Sequence, residues 1–225
     1  MYLKTLAVLA GGDRPVPAAL VAERLEVTPV AANEMLRRLI SEGLVEHEQR
    51  RGFRLTAPGR DAARDVIRRE RVWERFLVDR LGLDPARAAG WACLLEHATV
   101  AEVLDALDAH LGYPETCPQG QPIPRSPGDP VRRDGRSLAD LEVGSRVQLL
   151  AFDDEDPDVL DYLYRVGLTV GAAVRVADIA PRRSAFTLET EAGPVVVGRE
   201  VAATIKTIAG GGPGEALKQA GASAL

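Results

Sequence analysis

The sequence predicts a multi-domain protein, mostly α with a small amount of β: a winged helix-turn-helix, then a helical middle, then a small antiparallel β-barrel. Three observations carry that reading. Within the first 60 residues, short amphipathic helical segments run into a turn-rich basic hairpin. Helical periodicity then continues to about Leu111. After Leu141 the pattern changes to short β-type runs separated by Gly, Pro and Asp.

The opening MYLKTLAVLAGG breaks at Gly11-Gly12 after barely three helical turns. It lacks a basic leader and a cleavage site, so it reads as a first helix and not as a targeting segment. In residues 18–25 (AALVAERL) the apolar side chains recur at helical spacing. Thr28 is an N-cap candidate, and Pro29 takes the first helical position, where a missing N–H costs nothing. The helix it starts carries Met35, Leu36, Leu39 and Ile40 on one face and stops near Gly43. LVEHEQRRGFRLT reads as two strands about a turn at Arg51-Gly52. From Pro58, GRDAARDVIRRERVWERFLVDRLG is amphipathic, with Val66, Val72, Phe76 and Leu77 among its apolar positions. Pro85 opens another helix (PARAAGWACLLEH), and residues 100–111 form a third. Residues 112–136 hold six prolines and few large apolar side chains, which predicts a linker with little capacity for a core. SRVQLLAF, AAVRVADIA, SAFTLETE and PVVVGREVA predict barrel strands, and AGGGPGEALKQAGASAL a loose tail.

Composition excludes several classes. Hydrophobic residues at 46% and charged residues at 27% are ordinary for a soluble globular protein. A net charge of −5 argues against an all-basic surface, although it leaves room for a local DNA-binding patch. No uninterrupted apolar run approaches the roughly 18 residues of a membrane span. Two cysteines, Cys93 and Cys117, do not make a disulfide framework and predict a cytoplasmic chain with free thiols. No glycine loop suited to cradling phosphate is present.

The most informative residues are Cys93-Leu94-Leu95-Glu96-His97. On a helix, positions i, i+3 and i+4 share a face, so Cys93, Glu96 and His97 can converge on one point. Thiolate, carboxylate and imidazole together suit a transition metal and not calcium or magnesium. Spacing alone leaves the alternative open: a buried cysteine followed by a surface Glu-His pair.

WACLLEH, the text CPQGQPIP after LGYPET, the helix-turn-helix text AERLEVTP and LISEGLV, and the opening MYLKTL resemble, in order and over nearly the whole chain, the diphtheria-toxin-repressor family of metal-dependent regulators. The resemblance implies a winged helix-turn-helix DNA-binding domain over residues 1–62 and a helical dimerisation and metal-binding domain over 63–122. A Pro-rich linker (123–140), a C-terminal SH3-like, FeoA-type β-barrel (141–209) and a tail (210–225) complete it. It implies a repressor, not an enzyme, that binds double-stranded operator DNA as a homodimer when loaded with Fe(II) or Mn(II), and so controls metal-uptake genes.

Carried over residue by residue, the regulatory metal site falls on Met1, Cys93, Glu96 and His97. Matched to the family, the chain begins at the ligand methionine; an initiator methionine before a bulky residue such as Tyr2 is usually retained, so its thioether or α-amine can reach the ion. The family's second, ancillary site is less well preserved. Glu70 and Glu74 stand where the iron-responsive branch has a histidine and a glutamate, and Ala89 where it has another histidine. In the barrel, Asp156 matches a carboxylate position and Val159 an amide one. Glu70, Glu74 and Asp156 make an oxygen-rich remnant that favours manganese, whereas Cys93 and Met1 lean to iron. The other reading of Glu70 and Glu74 is a solvated helix face paired with arginines.

For DNA, the second helix of the motif enters the major groove with its N-terminal residues Thr28, Pro29, Ala31, Asn33 and Glu34 nearest the base edges. Asn33 can read adenine and Ala31 can meet a thymine methyl. Arg37 and Arg38, one turn on, and Arg50 and Arg51 at the wing tip are phosphate-contact candidates. Residues 1–64 carry ten basic against eight acidic side chains, so specificity rests on dimer geometry more than on bulk charge. His47, His110 and Cys117 stand alone, and the acidic run at 153–158 reads as a solvated loop. Within regulators, the alternative is a winged helix protein sensing redox state or an organic ligand through Cys93. An enzyme using Cys93 and His97 lacks an oxyanion-stabilising group and a third orienting residue.

Overall fold

Amphipathic helices that cannot bury their apolar faces alone organise the first half of the chain, and alternating strands organise the second. The computed structural model describes residues 1–11, 14–154 and 156–210. It divides into two compact units.

The first unit comprises Met1–Gly82, Trp91–Cys117 and Pro122–Arg132. It opens with α1 (Tyr2–Ala10), α2 (Ala18–Arg24) and α3 (Pro29–Ser41), followed by the antiparallel hairpin of β1 (Val45–Glu48) and β2 (Gly52–Leu55). Leu6, Val21, Leu36, Leu39, Val45, Phe53 and Leu55 close one core. Thr28 caps α3 as expected, its Oγ1 accepting from Ala31 N at 3.2 Å, with Pro29 in the first turn. Ile40, expected on the apolar face of α3, is instead exposed, because the helix seals its core with Ala32, Leu36 and Leu39. At the hairpin Arg50 and Gly52 both take positive φ, which turns the chain in the wing.

The long helix α4 (Ala57–Asp79) is wired to the hairpin through its first turn. Thr56 Oγ1 donates to Gly43 O and accepts from Gly59 N, and Arg60 Nη1 donates to Leu55 O. Gly59 lies so close to the preceding loop that an added Cβ would stand 1.8 Å from the Leu44 carbonyl oxygen. Gly59→Ala is therefore expected to cost about 1–3 kcal/mol, read as a lower urea midpoint with an unchanged m-value. An unchanged midpoint would show that the loop yields freely. Along α4, Ile67, Val72 and Leu77 are buried, while Val66 and Phe76 are only partly so.

Two further helices follow, α5 (Pro85–Glu96) and α6 (Ala101–His110). The proline-rich stretch after them differs from the expected coreless linker. Ile123 packs with Val72 of α4 and Leu104 of α6. Arginines of α4 fasten its backbone: Arg71 Nη1 donates to Pro122 O and Val131 O, and Arg75 Nε to Thr116 O. Asp108, fully buried on α6, accepts from Arg68 of α4 and from both Nε and Nη2 of Arg125 at 2.7–3.0 Å. Guanidinium-to-carbonyl bonds thus hold a segment that hydrophobicity alone does not.

The second unit comprises Leu83–Gly90, Pro118–Gln121 and the chain from Arg133. Its strands β3 (Arg136–Ser137), β4 (Arg146–Phe152), β5 (Ala173–Ile179), β6 (Ala185–Thr190), β7 (Gly193–Gly198) and β8 (Ile205–Ala209) form one antiparallel sheet in the order β3-β8-β4-β5-β6-β7. The helix α7 (Pro157–Arg165) and the short α8 (Arg199–Thr204) cover it. Leu149, Phe152, Leu160, Leu163, Val176, Phe186, Leu188 and Ile205 build its core. Of the tail expected at 210–225, residues 211–225 lie outside the described residues. Among the described residues no helix is long and apolar enough to cross a membrane.

Candidate metal centre and nucleic-acid interface

A residue 92 positions along the chain meets the first one: Cys93 Sγ on α5 lies 3.6 Å from Met1 Sδ at the head of α1. Met1 is held there because its carbonyl accepts from Thr5 N at 2.9 Å and Thr5 Oγ1 at 3.2 Å. Two sulfurs sharing one ion at bonds of about 2.3 Å stand about 3.8 Å apart at a tetrahedral angle, so this pair fits a transition metal.

The second half of the site is also a pair. Glu96 ends α5 and is 3% exposed; its Oε1 lies 3.3 Å from His97 Nδ1, and its Oε2 3.6 Å from Arg69 Nε on α4. His97 is not on the helix but in the turn that follows it, where Ala98 N and Thr99 N bond back three residues to Leu95 O and Glu96 O. That turn is positioned by two side chains the sequence did not single out. Trp73 Nε1 of α4 donates to Thr99 Oγ1 at 2.6 Å, and Thr99 Oγ1 donates to Leu95 O at 2.7 Å. Among the described residues no three His, Cys, Asp or Glu side chains converge on one point. What is assembled is a sulfur pair and a carboxylate–imidazole pair, whose donor types together fit the ion the resemblance implies.

Burial raises the Cys93 thiol above its ordinary pKa; Glu70 adds to this, Lys4 offsets part, Glu96 adds again and the N-terminal ammonium offsets a little. The unligated thiol is accordingly protonated at neutral pH.

The residues expected at an ancillary site are placed differently. Glu70 and Glu74, one turn apart on α4, are both buried and not on a solvated face. Both Glu70 oxygens engage Lys4 Nζ of α1, at 2.8 and 2.6 Å. Ala89 brings no ligand atom from its side chain. Asp156 belongs to the second unit, where it caps α7 by accepting from Asp158 N at 2.9 Å.

On α3, the helix expected to face DNA, Ala32, Leu36 and Leu39 point to the core, which leaves Thr28, Pro29, Ala31, Glu34, Arg37 and Arg38 exposed. Asn33 is half-buried and its Nδ2 donates to Pro29 O at 2.8 Å, a bond that bidentate reading of adenine has to break. Val30 was not anticipated; it is 68% exposed beside Ala31, an apolar contact suited to a thymine methyl. Arg38 pairs with Glu42, and Arg51 with Glu48, so a phosphate must compete with a carboxylate at both. Arg50 stands exposed at the wing turn.

Comparison with known proteins covers most of the chain. Residues 1–53 match the model described as "Iron dependent repressor, N-terminal DNA binding domain", and residues 56–125 the "Iron dependent repressor, metal binding and dimerisation domain". Residues 136–207 match the FeoA domain. The iron-dependent repressor IdeR of Mycobacterium leprae is 31% identical over 188 residues, 78% of this chain and 82% of that protein. The diphtheria toxin repressor of Corynebacterium diphtheriae is 35% identical over 124 residues, 55% of each chain. Among solved structures, a manganese-dependent transcriptional repressor in complex with manganese superposes with a TM-score of 0.81 at 30% identity, covering 92% of this chain and 97% of the other. ScaR with bound Zn2+ superposes with a TM-score of 0.80 at 28% identity over the same shares.

Proposed function

The chain belongs to the iron-dependent repressor family, and from that premise we propose that it is a transcriptional repressor, not an enzyme, that binds double-stranded operator DNA as a homodimer in the cytoplasm when loaded with Mn(II) or Fe(II). The observation that carries this reading is the 3.6 Å approach of Met1 on α1 to Cys93 on α5. Relatives named for iron and a solved relative holding manganese support the choice of ion.

A bound divalent ion supplies positive charge that thioether, thiolate, carboxylate and imidazole can share. The residues do the rest. Cys93 gives up its proton, so binding weakens as pH falls. Met1 carries the ion's hold into α1, whose Leu6 sits in the same core as Leu36 and Leu39 of α3. Linking α1 to α5 therefore constrains the DNA-reading helix. In a dimer the two copies of α3 must lie about 34–36 Å apart to enter successive major grooves.

For the homodimer, the support is an apolar face on the first unit. Ala92 and Glu96 turn the buried side of α5 inward, while Trp91 and Leu94 are 52% and 64% exposed, joined by Val100 and Val103. A second copy covering them removes apolar surface from water. Burial raises the Cys93 pKa, which disfavours the thiolate that a redox sensor needs.

The test is binding to duplexes selected from a random library, measured anaerobically with Mn(II), Fe(II) or Zn(II) and with a chelator control. Binding that appears with Mn(II) or Fe(II) and vanishes with chelator is expected. Binding indifferent to the chelator would exclude the reading.

A further inference from the structure

A lysine at the third position of the first helix ordinarily keeps its ammonium in water. Lys4 does not: it is 9% exposed, and its Nζ lies 2.8 and 2.6 Å from the two oxygens of Glu70, itself 6% exposed. Glu74, the next residue on that face of α4, is 7% exposed. These are the two carboxylates that would have to serve an ancillary ion. Oxygen ligands bind a divalent ion at about 2.0–2.2 Å, and an ammonium already held by both Glu70 oxygens occupies the space and the charge such an ion needs. Ala89 supplies no replacement donor.

We propose that the Lys4 ammonium is a tethered cation standing where a second ion would otherwise bind, so that each protomer takes one activating ion and not two. The inference rests on the metal-dependent reading above. It also gives Lys4 a positive task. The ion pair ties α1 to α4 whether or not metal is present, one helical turn from the methionine that reaches Cys93. The regulatory ion then completes a junction that is already half made.

The experiment counts ions on the full-length chain by anaerobic equilibrium dialysis with Mn(II) alone, with free Mn(II) followed by electron paramagnetic resonance. Wild type is expected to hold one Mn(II) per protomer. Lys4→Ala should expose a second, weaker class of site that disappears in the Lys4→Ala, Glu70→Gln double variant. Glu70→Gln alone should leave the count at one and move the affinity by less than about tenfold, because Glu70 supports the junction and the Cys93 thiol without being a ligand. Two ions on wild type, a Lys4→Ala protein that still holds one, or an affinity loss of about tenfold or more in Glu70→Gln would each overturn the proposal. If Lys4→Ala fails to fold, the wild-type count and the Glu70→Gln affinity still decide it. Wild type that holds no Mn(II) at all would instead defeat the metal-dependent reading itself.

Discussion

Glu96→Gln should abolish the response of DNA binding to metal while leaving the metal-free affinity where it was. Coupling between an effector and a ligand commonly amounts to about 5–150-fold in affinity, and that whole factor should vanish. The substitution preserves shape, so the buried side chain at the end of α5 keeps its packing. What it removes is the negative charge beside His97 and Arg69. The measurement is anisotropy of a labelled duplex titrated with and without Mn(II), accompanied by a thermal melt to establish folding. Metal stimulation surviving in a folded Glu96→Gln protein would remove Glu96 from the ligand set.

The second large effect concerns stability. Asp108 has no exposed surface and balances Arg68 and Arg125, whose side chains are 21% and 28% exposed. Asp108→Asn leaves Arg125 without its counter-charge and Arg68 with only the exposed Asp105, a loss of about 3 kcal/mol, at the low end for a broken buried pair because Arg68 keeps that partner and both arginines retain contact with water. For a chain of this length that lowers Tm by roughly 6–12 °C. The pH dependence has a definite sign. Burial works against the Asp108 carboxylate, but hydrogen bonds from Arg125 and Arg68 outweigh it, so its folded pKa lies below the ordinary value. Its contribution is therefore complete above the unfolded pKa, near 4 as a rough figure, and is lost as pH falls through the lower folded value. The Tm gap between wild type and Asp108→Asn should be widest at neutral pH and close under strong acid. A gap that stays constant with pH would assign the loss to packing.

Legibility in the sequence followed the kind of force involved. Apolar periodicity announced the helices and strands, and Thr28-Pro29 announced the start of α3, because both are local signals. The order of the 112–136 segment is invisible in the sequence for the opposite reason. Arg71, Arg75 and Arg125 secure it through carbonyls and carboxylates distant in sequence, and such bonds leave no hydrophobic pattern. The donor types at the candidate metal site were visible in CLLEH, but the turn that lifts His97 off the helix depends on Trp73 and Thr99, which come together only in the fold. Lys4 was hidden most completely. Nothing in MYLKTL distinguishes a buried lysine from a solvated one, since its partner Glu70 lies 66 positions away.

The unbroken run of α4 from Gly59, pressed against the loop before β1, to Glu70, gripped from α1, makes that helix a lever arm. Eleven residues at about 1.5 Å each separate the two grips by roughly 16 Å. A tilt of about 5° at the Glu70 end then carries the Gly59 end sideways by about 1.4 Å. In the proposed homodimer, two such arms would convert a side-chain adjustment into a change of stride, large enough to decide whether both reading heads fall in step with the grooves.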